Sequence, residues 1–175
     1  MEDKLTDFPI VFLDVEAAGF DSYPIEVGWA KIIKQNVISK SSFLIYHRNW
    51  IESKTWDPKA ELVHGITQGD LKVRGQSLEK SACQLNNELP KIVYSDAEDY
   101  EQYWVGQIFQ ETRINQEFKI KSEGHLFHDI DPMAYQVAES CISDIAPRKH
   151  RAIDDAYRLA VLYHLARWGE FDAKN

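Results

Sequence analysis

Residues 9–15 read PIVFLDV, a short apolar run with β-branched and aromatic residues that ends beside a carboxylate. A run of this length and composition is typical of a buried β-strand. Residues 25–34 (IEVGWAKIIK) and 37–46 (VISKSSFLIY) predict two further strands, and the short link of Gln35 and Asn36 suits a hairpin. The chain is therefore predicted to open with a three-stranded antiparallel meander.

Helical and extended patterns alternate along the rest of the chain. Thr67 and Ser77 are candidate N-caps, and Pro90 ends a helical run. Such an order predicts an α/β protein with a mixed central sheet flanked by helices. Helices or helical turns are expected at 58–66, 67–73, 77–89, 97–113, 131–142 and 151–168, and strands at 91–95 and 117–121.

The composition fits one folded domain spanning residues 1–175, because 44% of the residues are hydrophobic and 27% are charged. The formal net charge of −8 argues against a protein that coats duplex nucleic acid nonspecifically. It does not argue against a nuclease, because carboxylates that hold divalent cations are themselves acidic.

The cysteine content and the hydropathy pattern bear on location. Cys83 and Cys141 do not form a disulfide framework, which favours a reducing compartment. No apolar run approaches the length of a membrane span, and the polar start MEDKLTDFP does not resemble a signal peptide. We therefore predict a cytoplasmic protein without membrane contact.

Two carboxylates follow the first apolar run at alternate positions. Asp14 and Glu16 point to the same face if the run is a strand, so they would lie side by side where it leaves the core. They would repel each other there, and a divalent cation would relieve that repulsion. Hard oxygen ligands favour Mg²⁺ or Mn²⁺. The alternative is a solvated pair of carboxylates at a strand end.

A third carboxylate and a histidine occur near the end of the chain, in HRAIDDA at 150–156. Asp155 falls in the first turn of a predicted helix, on the side that packs inward, where a shared metal would stabilise it. His150 precedes the helix and could act as a general base at neutral pH. The alternatives are a helix N-terminal acid for Asp155 and an exposed loop residue for His150.

Three segments occur in a fixed order: FLDVEAAG at 12–19, VHGIT at 63–67 and HRAIDDA at 150–156. They resemble the motifs of the DEDDh 3′-to-5′ exonucleases, a family that includes RNase T, oligoribonuclease and the proofreading subunits of DNA polymerases. The resemblance implies an RNase H-like fold, two metal ions per site and release of nucleoside monophosphates from the 3′ ends of RNA or DNA. In such sites two cations about 4 Å apart activate water and stabilise the leaving oxygen.

The family also needs a middle acidic ligand, normally an Asp flanked by aromatic residues. Aligning Tyr100 and Trp104 with those aromatics places Glu101 at the ligand position, one methylene longer than the usual residue. Asp96, at the end of a predicted strand, is the alternative metal ligand. The pair Ser95-Asp96 also resembles an exoribonuclease branch, which favours RNA as the substrate.

Four further residues are candidates for substrate binding. Ala17 and Gly19 are small enough to let the backbone approach a terminal nucleotide. Phe20 would stack on the terminal base or serve as a core aromatic, and His64 would meet a phosphate or sugar or stabilise a loop. Arg148, Lys149 and Arg151 bracket the histidine of the third motif and could hold phosphates, or form a solvated face.

Two other functions share this pattern: a catalytically silent RNase H-like module that binds nucleic acid or a partner, and an endonuclease of the same fold. The spacing from His150 to Asp155 favours the exonuclease. The resemblance, a surplus of aromatic residues and the frequency of two-fold dimers predict a homodimer.

Overall fold

The computed structural model describes residues 9–34 and 37–169. The three predicted strands are present as β1 (Ile10–Ala17), β2 (Pro24–Lys34) and β3 (Val37–Leu44). β2 pairs antiparallel with both of its neighbours, as the meander requires. The predicted hairpin link of Gln35 and Asn36 lies outside the described residues.

Helices and two further strands follow the meander. Two of the helices, at 48–53 and 124–127, were not predicted, and the other elements have bounds close to those predicted. The elements after the meander are α1 (Arg48–Ser53), α2 (Pro58–His64), α3 (Gln68–Arg74), α4 (Leu78–Glu88), β4 (Ile92–Ser95), α5 (Glu98–Thr112), β5 (Lys119–Ser122), α6 (Gly124–Phe127), α7 (Pro132–Ile145) and α8 (Ala152–Trp168).

The predicted N-caps are confirmed. The Thr67 hydroxyl accepts a hydrogen bond from the Asp70 backbone, and the Asp70 carboxylate accepts one from the Thr67 backbone, which completes a capping box. Ser77 caps α4 through the Lys80 backbone N–H. α1 was not among the predicted helices; it lacks a side-chain cap and forms where Trp50 is buried against the core.

The sheet has the order β3-β2-β1-β4-β5. β4 lies parallel to β1, and β5 lies parallel to β4. The result is the predicted mixed sheet that opens with an antiparallel meander. Within the described residues, no helix is long and apolar enough to cross a membrane.

Side chains alternate across β1, and each face of the sheet has its own core. Val11, Leu13 and Val15 pack on the side covered by α4 and α5. Ile10 and Phe12 pack on the other side, against α8. Because successive strand residues point to opposite faces, the carboxylates at positions 14 and 16 continue the row that faces α8.

The start of α8 lies very close to β2. A Cβ atom built on Gly28 would lie 2.3 Å from the carbonyl carbon of Ala152. Ala156 and Ala160 continue the same buried side of α8 at four-residue intervals. Small residues on both elements therefore allow the helix to pack closely against the sheet, and this brings the first turn of α8 over the end of β1.

Candidate metal centre and substrate pocket

Two groups of carboxylates meet at the edge of the sheet, and they share one member. Asp14, Glu16 and Asp155 form the first group. Asp14, Asp96 and Glu101 form the second. Within each group, one oxygen atom per carboxylate lies within 4.8 Å of the others. The structure thus brings together all five acidic residues selected from the sequence, with both candidates for the middle ligand beside Asp14.

The topology explains this convergence. Phe12 of β1 is in register with Tyr94 of the parallel strand β4, so the two strands end at the same edge of the sheet. Asp14 lies two residues beyond Phe12 on β1, and Asp96 lies two residues beyond Tyr94, just past the end of β4. Glu101 is in the first turn of α5, which leaves the same edge because it follows β4 directly.

Burial and repulsion from neighbouring carboxylates raise the pKa values of three of these groups: Asp14, Glu16 and Glu101. Burial is the main cause of the raised pKa of Asp14, and the nearby carboxylates of Glu16, Asp155 and Asp96 raise it further. Burial also raises the pKa of Glu101, with Asp14 as the next cause. The pKa of Glu16 rises to about 7, through burial first and then through Asp155.

The donor set fits a hard divalent cation. All five donors are carboxylates, the ligands that such ions prefer. One oxygen of Glu101, Oε2, is buried without a hydrogen-bond partner among the described residues, and an unpaired buried oxygen is costly. A cation between the carboxylates would satisfy this oxygen and reverse the repulsion that raises the pKa values.

A buried ion pair anchors the first turn of α8, and the sequence analysis did not identify it. Glu26 of β2 accepts hydrogen bonds from Arg151 Nε and Nη2, each at 2.9 Å, and from the Ala152 backbone N–H at 3.1 Å. Arg151 is therefore held by a carboxylate and is not free for phosphate. A sequence signal was available, since Glu26 is a lone charge between apolar residues of a strand.

The segment before α8 contacts Asp155, although its histidine does not join the carboxylates. Arg148 Nε lies 3.6 Å from Asp155 Oδ2, and the Lys149 backbone N–H donates to Asp155 Oδ1 at 3.3 Å. His150 is exposed and has a φ of +52°, a conformation that non-glycine residues seldom adopt. It belongs to neither group of carboxylates.

The four candidate substrate residues line one cavity of about 290 Å³ beside the first group. They are Ala17, Gly19, Phe20 and His64, and Glu16 lines the same cavity. The Phe20 side chain is 63% exposed, so it is not a core aromatic. Sequence reasoning did not select the other lining residues: Val15, Asp57, Lys59, Ala60, Val63 and Trp104.

His64 is buried next to this cavity. Its Nδ1 accepts a hydrogen bond from the Ile66 backbone N–H at 3.0 Å, which identifies Nε2 as the protonated nitrogen of the neutral ring. Nε2 is buried and has no hydrogen-bond partner among the described residues. Burial also lowers the pKa of the imidazole, so the neutral form is favoured. The ring therefore stabilises its own loop through Nδ1, and the nearby Ala17 backbone opposes the effect of burial on its pKa.

Comparisons with protein-family models and with curated proteins give no match. Among solved structures, exonuclease X in complex with 5′ overhanging duplex DNA is 14% identical with a TM-score of 0.63, over 92% of this chain and 93% of that chain. E. coli exonuclease I with a dA16 oligonucleotide is 13% identical with a TM-score of 0.68, over 89% of this chain and 40% of that chain. The same figures hold for a zinc-bound form of the E. coli exonuclease I complex with single-stranded DNA.

This chain thus spans about 40% of the length of exonuclease I. At such low identities the likeness concerns the fold. It confirms the expected RNase H-like fold, with a mixed five-stranded sheet and flanking helices.

Proposed function

We propose that this chain is a metal-dependent 3′-to-5′ exonuclease of the DEDDh type, which hydrolyses single-stranded or short nucleic acid to nucleoside monophosphates. One observation carries the proposal: two groups of carboxylates share Asp14. A residue common to two adjacent donor sets would contribute oxygen ligands to two cations if each group held one. The structural neighbours named exonucleases add support at the level of the fold.

In this proposal Asp14 belongs to both metal positions, with Glu16 and Asp155 on one side and Glu101 on the other. Asp96 remains the alternative to Glu101, and its exposed carboxylate suits a ligand that acts through water. Two Mg²⁺ or Mn²⁺ ions held there would make a bound water more acidic and stabilise the leaving oxygen. The protein residues supply the oxygen ligands and fix their spacing.

The proposed proton acceptor is His150. Arg148 and the Lys149 backbone hold the loop that carries His150 against Asp155, which keeps this residue near the site. The His150 side chain itself is exposed. Contacts of a catalytic base are often long before substrate binds, so the exposed ring is compatible with this role. Asp155 would hold a cation with the carboxylate that now contacts Arg148 and the Lys149 backbone.

The cavity beside Glu16 is the proposed site of the terminal nucleotide. Its volume of about 290 Å³ is near the lower limit of small-ligand sites, which suits one nucleotide. Exposed Phe20 would stack on the terminal base, and His64 Nε2 would donate to a sugar or phosphate oxygen. Gly19 lies close to Asp57, since a Cβ built on it would lie 3.1 Å from the Asp57 Cβ.

We propose RNA as the substrate because the pair Ser95-Asp96 resembles an exoribonuclease branch. DNA is the alternative. Ser95 is fully buried, and its hydroxyl accepts a hydrogen bond from the Ala97 backbone at 2.9 Å, so it stabilises the turn between β4 and α5. Nothing in this contact distinguishes a ribose from a deoxyribose. The DNA complexes of the structural neighbours favour the alternative.

A degradation assay tests the proposal. Matched RNA and DNA oligonucleotides with a 5′ label are incubated with the protein in Mg²⁺, in Mn²⁺ and in excess EDTA. A ladder that shortens from the 3′ end, absent in EDTA, is the expected result. Discrete internal cuts would identify an endonuclease, and intact oligonucleotide in both metals would identify a silent binding module.

We also propose a cytoplasmic homodimer. Cys83 and Cys141 are free and exposed, which suits a reducing compartment. α7 exposes Met133 and Val137 one turn apart, an apolar surface that a second copy could cover. Light scattering at micromolar concentration tests the assembly, and a mass near 20.3 kDa would contradict it.

A further inference from the structure

A second cavity lies between α1 and α5, away from the carboxylates. Its volume is about 480 Å³, and its lining includes Trp50, Lys54, Tyr103, Gln107 and Arg113. We refer to it as the α1–α5 cavity. The proposed hydrolysis uses none of these residues, yet they combine aromatic rings with two cationic side chains, which is the composition of single-strand binding surfaces.

A continuous surface joins this cavity to the proposed terminal-nucleotide site. Tyr100, Tyr103, Gln107 and Gln110 recur at three- and four-residue intervals, so they lie on one face of α5. Phe20, which lines the pocket beside Glu16, has its ring centroid 4.5 Å from that of Tyr100.

Two recesses share one of these side chains. Tyr103 lines the recess that contains Phe20 and Tyr100, and it also lines the α1–α5 cavity. The exposed face of α5 therefore connects the pocket beside Glu16 with the cavity.

The aromatic rings on this surface are available to bases. Phe20 is 63% exposed, Tyr100 is 44% exposed and Tyr103 is 51% exposed. Side chains of this size are normally buried, so three exposed rings in sequence along one surface indicate a binding role. Successive bases of a single strand can stack on such rings without regard to sequence.

The cavity at the far end offers positive charge. Lys54 Nζ lies 4.8 Å from the centre of the Trp50 ring and donates to Gln107 Oε1 at 2.5 Å. This hydrogen-bond partner is neutral. Burial lowers the pKa of Lys54, and the nearby Glu111 carboxylate opposes that effect. Arg113 lies at the C-terminal end of α5, with a φ of +57°. Three carboxylates also border the surface and would weaken binding of phosphates near them: Asp21, Asp99 and Glu111.

We propose that the α5 face and the α1–α5 cavity bind the upstream part of the single strand whose 3′ end occupies the pocket beside Glu16. The terminal base stacks on Phe20, upstream bases stack on Tyr100 and Tyr103, and a phosphate contacts Lys54 and Arg113. The identity of the strand rests on the proposed function. The path from Tyr100 to Arg113 is about 20 Å long at the rise of an α-helix. A stacked strand rises about 3.4 Å per nucleotide, so the site takes on the order of six.

Binding measured without hydrolysis tests this site separately from catalysis. Fluorescence anisotropy in Ca²⁺ compares a labelled dinucleotide with a labelled strand of about ten nucleotides, which can cover the whole path. Tyr103→Ala is expected to weaken binding of the long strand about tenfold, the value of one base stacked on an aromatic ring. Tyr103→Phe keeps the ring and should bind normally, and neither variant should alter dinucleotide binding.

Lys54→Ala tests the phosphate contact. It should weaken long-strand binding and reduce the slope of log affinity against log salt by about 0.7, the single-strand value for one contact. Lys34→Ala is the matched control, because Lys34 is an exposed lysine far from the proposed site. It ends β2 beyond the Ile32–Ile10 pair, at the opposite end of the strands from Asp14. It should leave the salt slope unchanged.

The outcomes separate the two proposals. Long-strand affinity that Tyr103→Ala and Lys54→Ala leave unchanged, or that falls equally for the dinucleotide, overturns the upstream site. A wild-type chain that binds neither length also overturns it. A chain that binds the long strand through Tyr103 and Lys54 but releases no monophosphate in Mg²⁺ supports the upstream site and contradicts only the proposed hydrolysis.

Discussion

Gly28 of β2 lies directly opposite Asp14 of β1 in the antiparallel register. The position beside the shared carboxylate therefore carries no side chain, and the backbone of Ala152 takes the space that one would fill. This close approach places the first turn of α8, with Asp155, next to β1. Glu26 then fixes the helix by binding Arg151 and the Ala152 backbone.

Gly28→Ala tests this arrangement. The new Cβ would lie 2.3 Å from backbone atoms of Ala152 and Ile153, so α8 must move. We expect a loss of about 1–3 kcal/mol in the free energy of unfolding and a large loss of activity, because Asp155 moves away from Asp14. Urea unfolding and the degradation assay measure both.

Gly106→Ala is the control for that substitution. Gly106 lies inside α5, and a Cβ on it meets nothing within 4 Å. Alanine should stabilise the helix by about 0.5–1 kcal/mol. Equal stability of the two variants would show that α8 does not depend on close contact at Gly28.

Asp14→Asn is expected to abolish hydrolysis, because Asp14 belongs to both groups of carboxylates. The variant should also lose the rise in melting temperature that Mg²⁺ gives the wild type. Asp144→Asn, at an exposed position on α7, is the control for loss of one carboxylate. Full wild-type activity in excess EDTA would refute metal dependence altogether.

Glu101→Gln and Asp96→Asn separate the two candidates for the middle ligand. Glu101 is buried with one unpartnered oxygen, whereas Asp96 is exposed. We expect Glu101→Gln to lower kcat by at least about 10²-fold, as removal of a major electrostatic stabiliser does. Asp96→Asn should cost less. A near-normal rate for Glu101→Gln would assign the role to Asp96.

The metal-free protein should become less stable as pH rises. Most acidic groups have the opposite effect, because folding usually lowers their pKa values. Burial raises the pKa of Glu16 from 4.5 to about 7 in the folded chain. Its contribution to stability is therefore complete below pH 4.5 and is lost as pH rises through about 7, a change of at most about 3 kcal/mol. Asp14 and Glu101 act in the same direction.

Urea unfolding in EDTA at pH 5 and pH 8 measures this effect. We expect lower stability at the higher pH, and recovery when Mg²⁺ is added, because a bound cation compensates the ionised carboxylates. Glu16→Gln should flatten part of the pH dependence. Equal stability of wild type at both pH values, without metal, would contradict the repulsion inferred for this site.

The sequence predicted the elements whose signals are local. Alternation along β1 placed Asp14 and Glu16 on one face, and Thr67 and Ser77 marked helix starts, because strand direction and capping depend on neighbouring residues. Contacts between distant segments left weaker signals. The pairing of Glu26 with Arg151 joins residues 125 positions apart, and it appears in the sequence only as an isolated charge in β2.

Tertiary packing also explains why the sequence did not predict α1 or the exposed aromatic surface of α5. α1 forms because Trp50 is buried, and local propensity did not indicate it. The exposure of Phe20 and Tyr103 likewise depends on how α1, α5 and the loop after β1 meet. A sequence pattern cannot distinguish such exposed rings from core aromatics.

The remaining prediction concerns His150, the proposed general base. Its φ of +52° makes Asn the most suitable replacement, because Asn tolerates this backbone conformation and cannot accept the proton as imidazole does. We expect His150→Asn to lower kcat by about 10²- to 10⁴-fold, the usual contribution of a general base. The affinities for metal and for oligonucleotide should change little, since the carboxylates and the aromatic surface supply them.

The dependence of kcat on pH, at saturating Mg²⁺, distinguishes a base from a structural loop residue. In wild type the rate should fall on the acid side, because a protonated imidazole cannot accept a proton from water. That fall should be absent from the residual activity of His150→Asn. If His150 instead only positions the loop that carries Arg148 and Lys149 onto Asp155, the variant would bind metal or substrate more weakly and keep the acid-side fall. A variant with unchanged rate and unchanged profile would exclude His150 from the chemistry, and with it the DEDDh assignment.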